Sequence, residues 1–472
     1  MQGMKMMRWI LAVAALAILA AACKSSPGTP TDADPVASLT ATSQAGVSPL
    51  TVNFDASGSH DPDGDIVSYQ WDFESDGTID QTTTTPAVSH VYTAVASYTA
   101  QVTVVDNEGN SDTATLTVRV LTGTWHTQTL DVVGQVGTYT SAALINGRPA
   151  IAYADQTNHR AKFVIAANNE GTAWGIPLTI DANQRGGAFS SLAEIAGRPG
   201  VAFLDDQQGR VMYTRGLDAL GQTWSEPLGV GIPGAISDIA LAQVQGNPAV
   251  AFVDETQSND GDPVFIRALD SAGTSWDEGI LVDDTNEDVS ALDMKIINGV
   301  PAVGYVEESS RDLRFVQARD AFGDSWFLPV DAVSIGAVGN MMSLASVGAR
   351  PMMAFLETGS PNTDVYAVRS NDADGIAWPV AVAVDGGADS EGQYISLALI
   401  GGLPGVAYYN LTQHRLEYAQ ATTPAGTSWD TPITVDSTAD VGQFCSLVSV
   451  GGAPGISYYD ATDGDLKWSV LE

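Results

Sequence analysis

Apolar residues in this chain recur on two scales: at alternate positions within short runs, and between runs at intervals of about fifty residues. Between Val36 and Val120, the runs "LTVNF", "IVSYQWDF", "YTAQVTVVD" and "TATLTVRV" alternate apolar with polar positions, and Gly, Asp and Pro clusters separate them. Alternation puts one face of each run in a core, so six or seven such strands predict a β-sandwich. Beyond Val120 the pattern becomes periodic. Pro149, Pro199, Pro248, Pro301, Pro351, Pro404 and Pro454 head seven equivalent runs. Four places on stands an aromatic: Tyr153, Phe203, Phe252, Tyr305, Phe355, Tyr408 and Tyr458. A second aromatic marks the next run: Phe163, Tyr213, Phe265, Phe315, Tyr366, Tyr418 and Trp468. Each unit holds four strand-like runs, as in "SLALIGG", "PGVAYYN", "HRLEYAQA" and "SWDTPITVD". Four short strands per repeat predict the blades of a β-propeller, and the frequent Gly and Pro exclude helices.

The last unit is incomplete. Fourth strands are expected to begin at Trp174, Trp224, Trp276, Trp326, Trp378 and Trp429, six for seven units. A lone fourth strand, Gly123–Asp131 with Trp125, precedes the first unit. A ring leaves no large unpaired edge only if its ends meet, so this strand is expected beside "DLKWSVL". The fold class expected is all-β: an immunoglobulin-like sandwich, then a seven-bladed propeller closed by an N-terminal outer strand.

The amino terminus carries Lys5 and Arg8, an apolar run from Trp9 to Ala22, and then Cys23. That run is short for a membrane span and suits a signal segment. Small residues before a cysteine resemble the lipobox of bacterial lipoproteins, with Ala20 standing where Leu is commoner. The resemblance implies acylation of Cys23 and, with Lys24 following, outer-membrane sorting; cleavage after Ala22 without lipid is the alternative. The expected organisation is a signal peptide over 1–22, a flexible Pro/Ser/Thr tether over 23–35, a sandwich over 36–121 and a propeller over 122–472. The segment "FDASGSHDPDGDIVSYQWDF", with "HVYT" and "YTAQVTVVDNEG", resembles the PKD domain, an immunoglobulin-like module of bacterial surface proteins. That family implies a spacer or adhesion element. The turns "AGTSW", "FGDSW" and "LGQTW" resemble the Asp-box hairpin of sialidase-like propellers, although Asp218, Asp270 and Asp320 stand three residues before the glycine instead of two.

Charge narrows the partners. The 56 acidic and 20 basic residues give a net −36, which repels nucleic acid and anionic lipid and attracts divalent cations or basic ligands. Membrane contact is then expected through the lipid anchor only, and the protein as a monomer. With Cys23 acylated, Cys445 is left without a disulfide partner and reads as a small buried hydrophobe.

Several constellations could carry chemistry. Asp72, Glu74, Asp76 and Asp80 surround Gly77 in an order resembling a calcium loop; the alternative is a hairpin with an Asp-Gly turn. Six places past each repeat proline stand Asp155, Asp205, Asp254, Glu307, Glu357, Asn410 and Asp460, a ring on one face that could hold cations or a basic ligand. Acids at strand ends also cap their own turns. His159 and His414 occupy a turn position that is Gly209 or Gly464 elsewhere, which implies left-handed backbone. Arg148, Arg198 and Arg350 align on the opposite face, and no serine elbow, HExxH or phosphate loop is present. Tyr139, Phe189, Tyr394 and Phe444 recur in the loops leading into first strands, where core packing competes with sugar stacking. The preferred expectation is a non-enzymatic binding or adhesion lipoprotein for glycan or protein ligands, on the outer membrane or cell surface. Alternatives are a glycan-processing enzyme of sialidase-like or other hydrolase or lyase type, a scaffold for an envelope complex, and a periplasmic or secreted location.

Overall fold

The computed structural model describes residues 33–472 except 184, 232, 233, 235, 256–260, 284–287, 335–336, 359–362 and 388–391. Cys23, its expected lipidation and the signal segment lie outside the described residues. Every element among the described residues is a β-strand, and no helix is long and apolar enough to cross a membrane.

The first region is two facing sheets. Thr40–Ala41, Leu50–Asp55 and Ala87–Tyr92 form one; Ala45–Val47, Ser111–Leu121, Ser97–Asp106, Ile66–Asp72 and Gln81–Thr83 form the other. Alternate residues turn inward, so that Val52 and Phe54 of one sheet meet Trp71, Val102, Val104 and Val118 of the other in one core. The Trp71 indole N–H donates to Thr83 Oγ1 at 3.0 Å, which satisfies the polar edge of the largest core ring.

Among the described residues, seven four-stranded antiparallel sheets follow, here numbered I to VII. Their first strands are Val136–Ile145, Gly186–Ile195, Ile236–Val244, Val289–Ile297, Val338–Val347, Gln393–Ile400 and Val441–Val450. Sheet VII takes its fourth strand from the start of the region. Trp125–Asp131 pairs antiparallel with Asp465–Leu471, Trp125 opposite Leu471 and Asp131 opposite Leu466. Beyond the ladder, Gly123 N–H donates to the Glu472 carbonyl at 2.8 Å and Glu472 N–H donates to the Thr124 carbonyl at 3.0 Å.

The second strands depart from the expected alternation. In sheet I every residue of Arg148–Asp155 after the first is buried, and sheets IV and VI repeat this at Val300–Glu307 and Leu403–Asn410. Each such strand has a neighbouring sheet on both faces, so neither set of side chains reaches water. Seven apolar clusters fill the gaps, each drawn from two consecutive sheets. The last unites Val136 and Tyr153 of sheet I with Leu466 and Trp468 of sheet VII.

The tryptophans differ from expectation too. Trp174, Trp224, Trp276, Trp326 and Trp429 each form a single bridge to the residue ending the third run, and the fourth strand resumes later, at Leu178 in sheet I. Apart from Trp429, which packs on the cluster between sheets V and VI, these rings and that of Trp378 reach an aromatic on the third strand of the preceding sheet. Phe163–Trp224, Tyr213–Trp276, Phe265–Trp326 and Phe315–Trp378 meet edge to face with centroids 4.9, 5.2, 5.3 and 5.5 Å apart. Trp468–Trp174 at 5.1 Å and Tyr418–Trp125 at 5.9 Å repeat the contact on either side of sheet VII. Such pairs contribute about 0.5–1.5 kcal/mol each beyond area burial.

Candidate functional site

The first strands are tied to one another by a hydrogen bond that recurs at every junction. Leu192 N–H donates to Ser141 Oγ at 3.0 Å, Leu241 to Ser191 at 2.9 Å, Leu397 to Ser343 at 3.0 Å and Leu447 to Ser396 at 2.9 Å. Ala142 of sheet I donates to Ser446 of sheet VII at 2.9 Å. Two junctions use carboxylates: Leu292 donates to Asp238 Oδ2 at 2.9 Å and Leu344 to Asp293 Oδ2 at 2.8 Å. These strands line a cavity of about 650 Å³. The sequence contained the signal, a small polar residue before the apolar end of six of the seven first strands, but nothing in one unit reveals that its partner is the next unit.

The acidic ring lies where expected, at the turn between second and third strands, beside the loops that lead into the first strands. Five of its seven members serve their own turns. Asp155 accepts from Asn158 N–H and Nδ2, both at 2.9 Å. Asp205 accepts from Gln207 and Gln208 N–H at 3.0 Å, and Asp460 from Thr462 at 3.0 Å and Asp463 at 3.2 Å. Asn410 accepts from Gln413 N–H at 2.9 Å. Glu307 accepts from the Ser310 hydroxyl at 2.7 Å and pairs with Arg314 at 2.9 Å. Asp155, Asp205, Glu307, Asn410 and Asp460 are buried, whereas Asp254 and Glu357 are half-buried.

On the same face, the first strands carry a bulge held in left-handed backbone. Tyr139, Phe189, Tyr394 and Phe444 have φ of 52°, 52°, 55° and 53°. For bulky side chains this costs of order 1–3 kcal/mol each and persists only where the surroundings impose it. The four rings form one arc across sheets VI, VII, I and II. Tyr394–Phe444, Phe444–Tyr139 and Tyr139–Phe189 centroids lie 4.4, 4.6 and 4.9 Å apart. In sheet V, Met341 extends the arc, its Sδ 2.9 Å from Tyr394 N. All four rings are half-buried; burial pushes the Tyr139 and Tyr394 hydroxyls above the usual tyrosine range. His159 and His414, with φ of 52° and 54°, are left-handed as their exchange with glycine implied. His414 Nδ1 lies 2.7 Å from Tyr409 Oη, which donates to Asp440 at 2.7 Å; His159 Nδ1 lies 3.4 Å from Asp206. Arg148, Arg198 and Arg350 open second strands at the opposite end of the sheets.

Sheet III breaks this pattern twice. Its bulge residue is Asp238, φ 52°, and the place of the inter-sheet serine is taken by Ala240, opposite Ala251. Asp238 assumes the serine's task two residues early and meets Leu292, correspondingly early in sheet IV. Its other oxygen accepts from Ile239 N–H at 3.0 Å. Enclosure in the channel pushes this carboxyl up to about 6; Asp293 adds to the rise, while the N–H bonds and Lys295 oppose it. Asp293 pairs with Lys295 at 2.6 Å. No feature of the sequence singled out these three residues, because their shared surroundings arise from two adjacent sheets.

Two acidic groups in the sandwich could hold a hard cation. Asp72, Glu74 and Asp80 present oxygens within 4.8 Å of one another, and Asp76 stands apart from them. Asp72 is occupied by the N–H groups of Glu74, Asp76 and Gly77 at 3.3, 3.2 and 2.9 Å, as in a turn. The second group, Asp61, Asp106 and Glu108, was not anticipated. Asp61 Oδ2 and Asp106 Oδ2 are buried without a hydrogen-bond partner, which leaves lone pairs free for a cation.

Residues 32–120 match the family model of the PKD domain. The pre-pro-metalloprotease PrtV of Vibrio cholerae is 45% identical over 62 residues, 13% of this chain and 6% of that protein. The chain thus spans a small fraction of the length of this curated relative. The solved PKD1 domain of the Vibrio cholerae metalloprotease PrtV is 39% identical, covering 18% of this chain and 96% of its own, with a TM-score of 0.15. The alpha-L-arabinofuranosidase Arb93A of Fusarium graminearum is similar over 72% of this chain and 93% of its own, at 12% identity and a TM-score of 0.44. The amino-terminal sandwich is therefore a PKD domain, followed by the seven four-stranded sheets.

Proposed function

We propose that the chain is a non-enzymatic binding lipoprotein in which a closed seven-bladed ring presents its aromatic arc to a glycan. The observation that carries this reading is the arc itself: four half-buried rings in mutual contact, held in strained backbone on the face away from the PKD domain. Pyranose rings stack on such surfaces through their C–H faces, and aromatic side chains supply contact area at low entropic cost. Closure of the ring is supported by the shared sheet VII, by the cluster between sheets VII and I, and by the Ala142–Ser446 bond. Against catalysis stands the commitment of three buried acids and one half-buried one, Asp385. Asp131, Asp283, Asp385 and Asp436 accept from the tyrosines four past the repeat prolines, at 2.7, 2.5, 2.5 and 2.7 Å. With Cys23 acylated, the chain would sit on the outer membrane with its arc directed outward.

A glycan array probed with residues 24–472, and with Tyr139→Ala and Phe444→Ala variants, tests the reading. The expected result is binding that each substitution reduces at least tenfold without product formation. Released sugars would establish an enzyme, and silence of the unaltered protein would favour an envelope scaffold. For calcium we propose the Asp61, Asp106 and Glu108 group over the Asp72 loop, because its buried oxygens are unpartnered. Calcium is expected to raise the melting temperature of the protein, and Asp61→Asn to abolish the rise. A rise undiminished in Asp61→Asn would assign the ion elsewhere.

A further inference from the structure

At the bulge position of the first strands, four sheets carry an aromatic ring in left-handed backbone and a fifth carries a carboxylate in the same conformation. The rings belong to sheets VI, VII, I and II, and the carboxylate to sheet III, next after Phe189. Asp238 also lines the channel, and the charged residues that line it with Asp238 are Asp293 and Lys295 of sheet IV. Those two are paired at 2.6 Å and offset each other. Sheets I, II, V, VI and VII contribute Ser, Thr, Ala, Leu, Ile and Met there. Asp238 is thus the channel's uncompensated charge among the described residues. Its oxygens accept one backbone N–H each, from Ile239 and Leu292, and each retains a lone pair.

We infer that the ligand carries a protonated primary amine: a hexosamine unit with a free amino group lies along the arc and sets its ammonium against Asp238. This rests on the glycan reading above and specifies its ligand. The reasoning is electrostatic. A half-buried carboxylate on a channel lined by serine hydroxyls and apolar side chains keeps only part of the solvation it has in water, and a cation restores some of the rest. A hydroxyl would serve as a partner less well, and an acidic sugar would meet Asp238 and Asp293 with like charge. The amine therefore gains where a neutral N-acetyl group does not. Because binding favours the ionised form of Asp238, affinity should fall as pH is lowered through about 6.

Isothermal titration of residues 24–472 with glucosamine tetramer and with N-acetylglucosamine tetramer tests this, at pH 7 and 5 and at two salt concentrations. The amine tetramer is expected to bind at least tenfold more tightly at pH 7. Asp238→Asn should remove that advantage and its pH dependence while leaving the N-acetyl affinity unchanged. Lys295→Gln, which leaves Asp293 unpaired, should strengthen amine binding and shows the same logic should Asp238→Asn fail to fold. Equal affinities for the two tetramers would overturn the inference and leave the glycan reading standing. An amine preference that survives in Asp238→Asn, or that high salt erases, would assign it to the overall negative charge and overturn the inference. Failure of both tetramers to bind would overturn the inference, and a silent glycan array would take the glycan reading with it.

Discussion

One place past the repeat proline, glycine and alanine are chosen by a side chain on another strand. Gly200, Gly405 and Gly455 stand against Tyr213, Tyr418 and Trp468; a Cβ would come within 3.0 Å of Tyr213 Oη, 2.7 Å of Tyr418 Oη and 2.5 Å of Trp468 Cη2. Where the facing ring is Phe163, Phe265 or Phe315, the position is Ala150, Ala249 or Ala302. The fit is steric, since the hydroxyl or the larger indole occupies the methyl's volume. Gly405→Ala should therefore destabilise by about 1–3 kcal/mol, the usual cost of overpacking. The Tyr418 hydroxyl is buried without a hydrogen-bond partner, so Tyr418→Phe alone should cost little. Combined with Gly405→Ala it should restore most of the loss in a denaturant titration. Additive losses in the double variant would show that the hydroxyl is not what excludes the methyl. Both columns were visible in the sequence, yet their correlation was not, because it exists only across a strand pair.

Two devices hold the strands as sheets and the sheets to each other. The first is the serine bond between consecutive first strands. Ser446→Ala should leave the Ala142 N–H without its acceptor and cost about 1–3 kcal/mol. Amide exchange at Ala142 should quicken selectively; exchange unchanged there would mean the bond is dispensable. The second is the hairpin before the tryptophans of sheets II to V, where Asp218, Asp270, Asp320 and Asp372 cap the turn. Asp270 accepts from Thr274 Oγ1 at 2.7 Å and from the N–H groups of Ala272, Thr274 and Ser275 at 2.8, 3.3 and 3.2 Å. The Thr274 hydroxyl chiefly, with those N–H groups, holds the Asp270 carboxyl down at about 2. A carboxyl lowered on folding stabilises fully above its unfolded value, about 3.9, and the contribution is lost as pH falls through the folded value. Loosening of this hairpin is expected between pH 4 and 2, seen as faster exchange at Ser275. No acceleration in that window would show that the caps do not depend on ionised Asp270. The Asp three places before the glycine was legible as a turn residue. The inter-sheet role of the tryptophan was not, for the same reason as the glycine pairing: each contact links one repeat with the next.

The PKD domain and the sheets are packed against one another, not merely strung together. Gln44 N–H donates to the Gly401 carbonyl at 2.9 Å, and Arg119 Nη1 to the Val450 carbonyl at 3.0 Å. Leu121, Ala453 and Leu471 share a small apolar cluster with Trp125. These contacts use the turns between first and second strands, so the PKD domain lies opposite the aromatic arc. Gly452, with φ 84°, leaves room for Ala45, whose Cβ would lie 2.8 Å from an added methyl. Gly452→Ala should weaken the docking, and proteolysis between Leu121 and Trp125 should accelerate; unchanged cleavage would show that this contact does not set the geometry. At this level the sequence was most informative. Repeated prolines, aromatics and one displaced tryptophan sufficed for the second and third strands, their grouping and the partner of the last sheet, because the tendency to pair exposed edges is a property of any strand. They did not suffice for where the fourth strands begin. The candidate site was legible only in part. Alternation located the acids and the four aromatics, but left-handed bulges and the exchange of a ring for Asp238 depend on neighbours far away in sequence. Everything at that face presumes that the two ends of the region share sheet VII. Thr127 Oγ1 and Ser469 Oγ lie 2.7 Å apart on paired strands, close enough for a disulfide between cysteines in their places. Thr127→Cys/Ser469→Cys, oxidised in the folded protein, is expected to cross-link completely and within one chain by peptide mass mapping. Two free thiols under the same conditions, in a protein that remains folded, would contradict the shared sheet.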